Sequence, residues 1–173
     1  MIITQAKETD FPDVRSFYHT VIGRMQGSLY DIGWKKDIYP EPGFLLDSIK
    51  KGELYICLEA DTIAAAMVLN HQYQEAYRSV KWQTDADESG ILVLHILGVH
   101  PENSGKGYGK AMIKEAVRIA GSQGLLAIRL DVLPGNLPAE KLYAQTGFSF
   151  IDSRNVYYED VGWAKMDLYE YVL

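Results

Sequence analysis

The sequence predicts one mixed α/β domain over residues 1–173, a central mixed sheet flanked by helices. Three observations predict it. Strand-like and helix-like patterns alternate along the chain without segregating into halves. The run "ILVLHILGV", Ile91–Val99, is apolar on both faces, as a strand inside a sheet must be. Glycines at 105, 107 and 109 join that run to a helical pattern. With 173 residues and 47% apolar composition the chain is long enough for one core and short for two.

The elements follow in order. "MIITQAK" reads as an opening strand. Thr9 or Asp10 then caps a helix with Pro12 in its first turn, and Phe11, Val14, Phe17, Tyr18, Val21, Ile22 and Met25 recur at helical spacing on one face. "GSLYDIGWKKDIYPEPG" reads as a loop with short helical turns, and "FLLDSIKK" as a second helix stopped by Gly52. "ELYICLEA" and "TIAAAMVLNHQY" form a hairpin turning at Asp61. "EAYRSVKW" reads as one or two helical turns and "QTDADESG" as an acidic loop ahead of the central strand. Met112, Ile113, Ala116, Val117 and Ala120 mark one side of the next helix, which Gly124 ends. "LLAIRLDVL" is a strand, Asn136 opens a short helix that stops at Gly147, and "FSFIDSRNVYYEDVGWAKMDLYEYVL" reads as a β-hairpin.

Composition bounds the function. A net charge of -6 argues against general affinity for nucleic acid, whose phosphates need a basic footprint, and suits a cationic small partner. No run approaches the roughly 20 apolar residues of a membrane span, and the N-terminus lacks the basic start of a secretion signal. The single cysteine, Cys57, fits a reducing compartment, so the cytoplasm is the expected location. No His, Cys and carboxylate cluster has ligand spacing, so no metal is expected.

The glycine stretch "HPENSGKGYGKAM" carries the chemistry. The first amides of a helix lack internal partners and sit at the positive end of its dipole, and glycines bring a bulky anion close to them. A pyrophosphate is the natural guest, with Lys106 and Lys110 adding charge. A polar turn is the competing explanation. A Walker A loop has the wrong spacing. A dinucleotide-binding turn could use Asp131, about 20 residues beyond Gly109, as its ribose acid. Yet "HPENS" separates the strand from the glycines.

Two blocks decide between these. "SGKGYG" stands behind "LGVHPEN", and "LDVLPGNLPAEKLYAQTGF" follows with Asn136, Ala139, Leu142, Tyr143, Gly147 and Phe148 in register. Together, over about Ile91–Phe150, they resemble the GNAT superfamily of acetyl-CoA-dependent N-acyltransferases. One departure is visible. Ser104 stands where the family carries Gln or Arg, removing one side-chain contact to the pyrophosphate.

The resemblance implies a GNAT fold that moves an acetyl group from acetyl-CoA to a primary amine of a small molecule or peptide. It implies a bulge near Leu97 and Gly98, with the strand splaying from Ala127–Val132 and backbone groups of Leu97, Gly98 and Val99 lining the pantetheine arm. Ser104, Gly105, Lys106, Gly107, Tyr108, Gly109 and Lys110 would hold the pyrophosphate. Asn136, Ala139 and Tyr143 share a helical face toward the sulfur, and Lys141 lies near the 3′-phosphate. Tyr143 is then the general acid and His95, two residues before the bulge, the general base; Glu88, Asp87 and His71 are alternatives. Acceptor choice would fall to Tyr30, Asp31 and Trp34, and to Tyr157, Tyr158 and Glu159, aromatic walls with nearby acids that suit a cation. By family habit the chain would pair through its C-terminal strands as a homodimer. Two other readings stay open, a CoA-binding module without turnover and a nicotinamide-dependent oxidoreductase.

Overall fold

The structure, a computed structural model, describes residues 1–30, 33–158 and 162–173. The described elements run β1 (Ile2–Gln5), α1 (Phe11–Met25), α2 (Pro42–Lys50), β2 (Leu54–Glu59), β3 (Thr62–Asn70), β4 (Ile91–Val99), α3 (Tyr108–Ser122), β5 (Ala127–Val132), α4 (Leu137–Gln145), β6 (Ser149–Tyr158) and β7 (Gly162–Val172). This is the mixed α/β architecture expected, with strand order β1-β2-β3-β4 at one end and β4-β5-β7-β6 at the other. The chain forms two compact units, Met1–Leu69 with Ile96–Glu115, and Asn70–His95 with Ala116–Leu173. The chain passes from one to the other inside β4 and inside α3. Among the described residues no helix is long and apolar enough to cross a membrane.

In the first unit β1, β2 and β3 pair antiparallel. The β2–β3 hairpin turns on Ala60 and Asp61, both at positive φ (46° and 63°), the handedness that matches strand twist. Thr62 Oγ1 closes the turn by donating to Glu59 O at 2.6 Å. The apolar stripe of α1 is the one its periodicity marks: Val14, Phe17, Tyr18, Val21 and Ile22 are buried. Most of that stripe packs with Leu45, Leu54, Ile56, Ala66, Val68 and Ile96. Asp10 precedes the helix, but its carboxylate accepts from the Lys7 amide at 2.8 Å. Helix α2 begins at Pro42, two residues before the expected start, because a proline's fixed φ is preorganised for a first helical position. The loop before it is clamped by Asp37, which accepts from Arg15 Nη2 at 2.6 Å, Arg15 Nε at 2.8 Å and pairs with His19 Nε2 at 2.8 Å.

In the second unit β4 runs parallel to β5 from Ile91↔Ala127 to Val93↔Arg129, and β5 pairs antiparallel with β7 through Val132↔Asp167. The segment before β4 makes two short 3-10 turns, Glu75–Ser79 and Glu88–Gly90, and its backbone between them is pinned to β5 and β7 side chains. Arg129 and Glu170, about 1% exposed, form an ion pair at 2.9 Å. Arg129 Nη2 donates to Thr84 O at 2.8 Å, while Glu170 Oε2 accepts from the amides of Gln83 (2.8 Å) and Thr84 (3.1 Å). Trp82 stacks on the guanidinium at 4.3 Å, and Arg129 Nη1 donates to the Tyr73 hydroxyl. At the other end of β5, Asn136 caps α4 as expected, its Oδ1 accepting from Ala139 N at 3.4 Å.

Candidate functional site

The first unit holds the glycine loop and the kinked end of β4. The only strand residue of β4 at positive φ is Ile96 (46°), one residue ahead of the expected Leu97–Gly98 bulge. A β-branched residue there is strained and persists only where its surroundings over-determine it. The buried Tyr18 hydroxyl supplies one such constraint, donating to Ile96 O at 3.0 Å. Gly98 is closely packed: a β-carbon on it would lie 3.3 Å from Phe17 Cε1, so α1 and the kinked strand approach tightly over this residue.

Beyond the kink, Gly105 (φ 76°) and Gly107 (φ 90°) are left-handed, and a β-carbon on either would meet nothing within 4 Å. The loop is therefore open where an anion would approach. Ala111 N bonds to Gly107 O at 3.0 Å, making Gly107 the cap of α3 and leaving the amides of Tyr108, Gly109 and Lys110 as its first turn. Ser104, Lys106 and Lys110 are exposed, and Lys106 Nζ donates to Asn103 Oδ1 at 3.1 Å. Tyr108 turns inward. It is 4% exposed and hydrogen-bonded to Glu59, which pushes its phenol up to about 12, so only its backbone faces the loop.

The second unit holds the two expected proton-handling residues. His95 Nε2 lies 2.9 Å from Asn70 Oδ1, and that oxygen also accepts from the Gln72 amide at 2.9 Å. A backbone amide can only donate, so the Asn70 oxygen is an acceptor for both, and His95 carries its hydrogen on Nε2 with its lone pair on Nδ1. Burial lowers the imidazole's pKa below the ordinary 6.5, opposed by the nearby Asp131 carboxylate. Tyr143 on α4 is 6% exposed, its ring 5.5 Å from Phe148 and 6.0 Å from Tyr169. Burial first, then the charge of Asp131 and the Tyr169 phenol, raise its pKa, so the hydroxyl keeps its proton.

Asp131 links the two, and sequence reasoning had given it only the ribose-binding part in a dinucleotide site. Tyr77 donates to its Oδ2 at 2.6 Å and Tyr158 to its Oδ1 at 2.8 Å. The signal available was a carboxylate two residues after an arginine in an otherwise apolar strand, "AIRLDV". The alternative bases are otherwise engaged. Glu88 pairs with Arg78 at 2.5 Å, Asp87 caps a 3-10 turn, its hydrogen bonds to Ser89 and Gly90 lowering its pKa, and His71 Nδ1 donates to Ile91 O at 2.7 Å.

The expected acceptor residues separate. Tyr30 is exposed in the first unit, while Trp34 packs against Tyr18 and Tyr39 at the edge of that unit's core. Tyr157 is 54% exposed in the second unit, edge-on to Trp163, and Tyr158 binds Asp131. Asp31 and Glu159 lie outside the described residues. Asn136 spends its side chain as a cap, and Lys141 is exposed on α4.

Fold, glycine loop and the two blocks together define an acyltransferase of the GNAT type. The acetyltransferase (GNAT) family model matches residues 21–148, and the chain belongs to that family, which uses acetyl-CoA as co-substrate. In fold it is similar to a GNAT-family acetyltransferase from Streptococcus agalactiae (TM-score 0.79, 15% identity, 99% of this chain and 95% of that one). It is similar also to a ribosomal-protein-alanine N-acetyltransferase from Brucella melitensis (0.71, 15%, 100% of both). A Salmonella typhimurium structure that holds acetyl-CoA as its cofactor matches at TM-score 0.67, 15% identity, 100% of this chain and 94% of that one. Among curated proteins none matches the chain significantly.

Proposed function

We propose that the protein, as one domain over residues 1–173, is an N-acetyltransferase that moves the acetyl group of acetyl-CoA to a primary amine by direct attack in a ternary complex. The observation that carries this reading is a pair of side chains under one carboxylate whose environments push them to opposite tasks. His95 is held neutral, able to take a proton, and Tyr143 is held protonated, able to give one. Acetyl-CoA supplies a thioester already activated for attack.

The chain's own groups divide the remaining work. The first-turn amides of α3, with Gly105 and Gly107 open above them, fit a pyrophosphate, and Lys106 and Lys110 add charge at its rim. Backbone groups of Leu97, Gly98 and Val99, just beyond the kink at Ile96, fit the amide-bearing arm. Through Nδ1, His95 takes the proton that an alkylammonium must lose. The Tyr143 hydroxyl donates to the departing sulfur. Its raised pKa makes it a reluctant acid but a constant hydrogen-bond donor as charge develops. Each service is worth on the order of 100-fold to 10,000-fold in rate. Cys57 supports direct attack by default, since it is fully buried and burial raises its thiol pKa, which is unlike an acyl-carrying nucleophile. A reducing, cytoplasmic location and a homodimer through the C-terminal strands complete the proposal.

The test is thiol release from acetyl-CoA across a panel of primary amines, with the acetylated amine confirmed by mass. Release with at least one amine supports the reading. CoA binding with no release above the blank for any amine overturns it in favour of a CoA-binding module, the second reading, which Ser104 at the cofactor loop favours.

A further inference from the structure

We propose that Asp131 is the anchor for the acceptor's ammonium group, so that the acceptor is a primary alkylammonium and not a neutral arylamine or alcohol; this rests on the acetyl-transfer reading above. Strand β5 carries two charges on one face, Arg129 and Asp131, two residues apart. Their surroundings differ. The Arg129 charge is closed off by Glu170, both of whose oxygens are also engaged. Asp131 is half-buried, and among the described residues it has no cationic partner.

What Asp131 has instead is two neutral donors, one on each oxygen: Tyr77 OH at 2.6 Å and Tyr158 OH at 2.8 Å. Hydroxyls orient a carboxylate without cancelling its charge. Each oxygen keeps a lone pair for a further donor. A half-buried carboxylate held in a fixed pose and left uncompensated is a preorganised seat for an external cation.

The seat acts on the base through its charge. His95 and Asp131 each lie two residues past Val93↔Arg129, the last pair of the β4–β5 ladder, and the Asp131 carboxylate raises the His95 pKa against burial. An ammonium seated on Asp131 loses an N–H proton to the Nδ1 lone pair of His95, leaving a neutral amine with its own lone pair and an imidazolium. The same carboxylate then stabilises the imidazolium. One charge thus serves recognition and the step that follows it.

The test compares wild type with Asp131→Asn by calorimetric titration, using n-butylammonium, phenethylammonium and 1,4-diammoniobutane beside their alcohol counterparts, each with and without CoA. Wild type is expected to bind at least one ammonium better than its alcohol, and Asp131→Asn to lose about 30-fold of that affinity or more, with CoA affinity unchanged. Equal ammonium binding by the variant, or no preference for ammonium over alcohol in wild type, overturns the proposal. If Asp131→Asn does not fold, Asp131→Glu keeps the charge and is expected to keep the ammonium preference; its loss there in a folded variant counts against the anchor. Failure of CoA to bind in wild type would count against the acetyl-transfer reading and leave the ammonium titration to judge Asp131 by itself.

Discussion

Asn70 Oδ1 accepts from Gln72 N and from His95 Nε2, both at 2.9 Å, and through this shared oxygen it decides which nitrogen of His95 carries the lone pair. On the proposed reading the base acts through Nδ1, in an imidazole whose pKa burial lowers. His95→Gln can still donate to Asn70 but has no basic nitrogen. It is expected to lower kcat by about 100-fold or more with little change in KM for acetyl-CoA, measured by steady-state thiol release.

The same residue fixes the sign of a stability effect. Its folded pKa lies below the unfolded value of about 6.5, so the unfolded chain binds more protons as pH falls through that value. Stability from this site is whole above about pH 6.5 and is lost as pH falls toward the folded pKa, by at most about 1.4 kcal/mol per pH unit. Denaturant melts of wild type between pH 5 and 7.5, with roughly half-unit steps, are expected to show that loss, and His95→Gln is expected to lose correspondingly less.

Tyr143→Phe keeps the ring that packs on Phe148 and Tyr169 and removes only the hydroxyl. The melting temperature should hold while kcat falls by about 100-fold. A kcat within about twofold of wild type would remove Tyr143 from the reaction.

Much of the fold was legible because its signals are local. The α1 stripe from Val14 to Ile22, the strand Ile91–Val99 and the Asn136 cap each depend on residues within a few positions of one another. The glycine loop was legible for the same reason, since left-handed glycines ahead of a helix are a short-range pattern. Asp131 was not. Its meaning comes from Tyr77 and Tyr158, 54 and 27 residues away, and no periodicity announces a long-range hydroxyl pair. The kink at Ile96, next to the expected bulge near Leu97 and Gly98, has no composition signal of its own, since a strained φ on a β-branched residue is held from outside by Tyr18.

Ser104 offers a gain-of-affinity test. It is exposed at the start of the glycine loop, with extended backbone (φ -58°, ψ 138°) that any residue adopts. Ser104→Arg is expected to add a charge-assisted contact to the pyrophosphate and lower the Kd for CoA by about 10-fold, with a steeper salt dependence. Gly107→Ala should act oppositely. There is room for its methyl group, so the cost is the left-handed backbone alone, about 1–2 kcal/mol, read as weaker CoA binding in calorimetry.

The Arg129–Glu170 pair should control stability more than chemistry, though it lies in the unit that carries Asp131. Arg129→Met leaves Glu170 buried and charged, still accepting from the Gln83 and Thr84 amides but without its counter-ion. Breaking such a pair from one side costs about 3–5 kcal/mol. Replacing both members, Arg129→Met with Glu170→Gln, removes the stranded charge while a glutamine oxygen still meets the two amides. The double variant should therefore be more stable than Arg129→Met alone in urea melts, a non-additivity that a simple loss of packing around Trp82 would not produce.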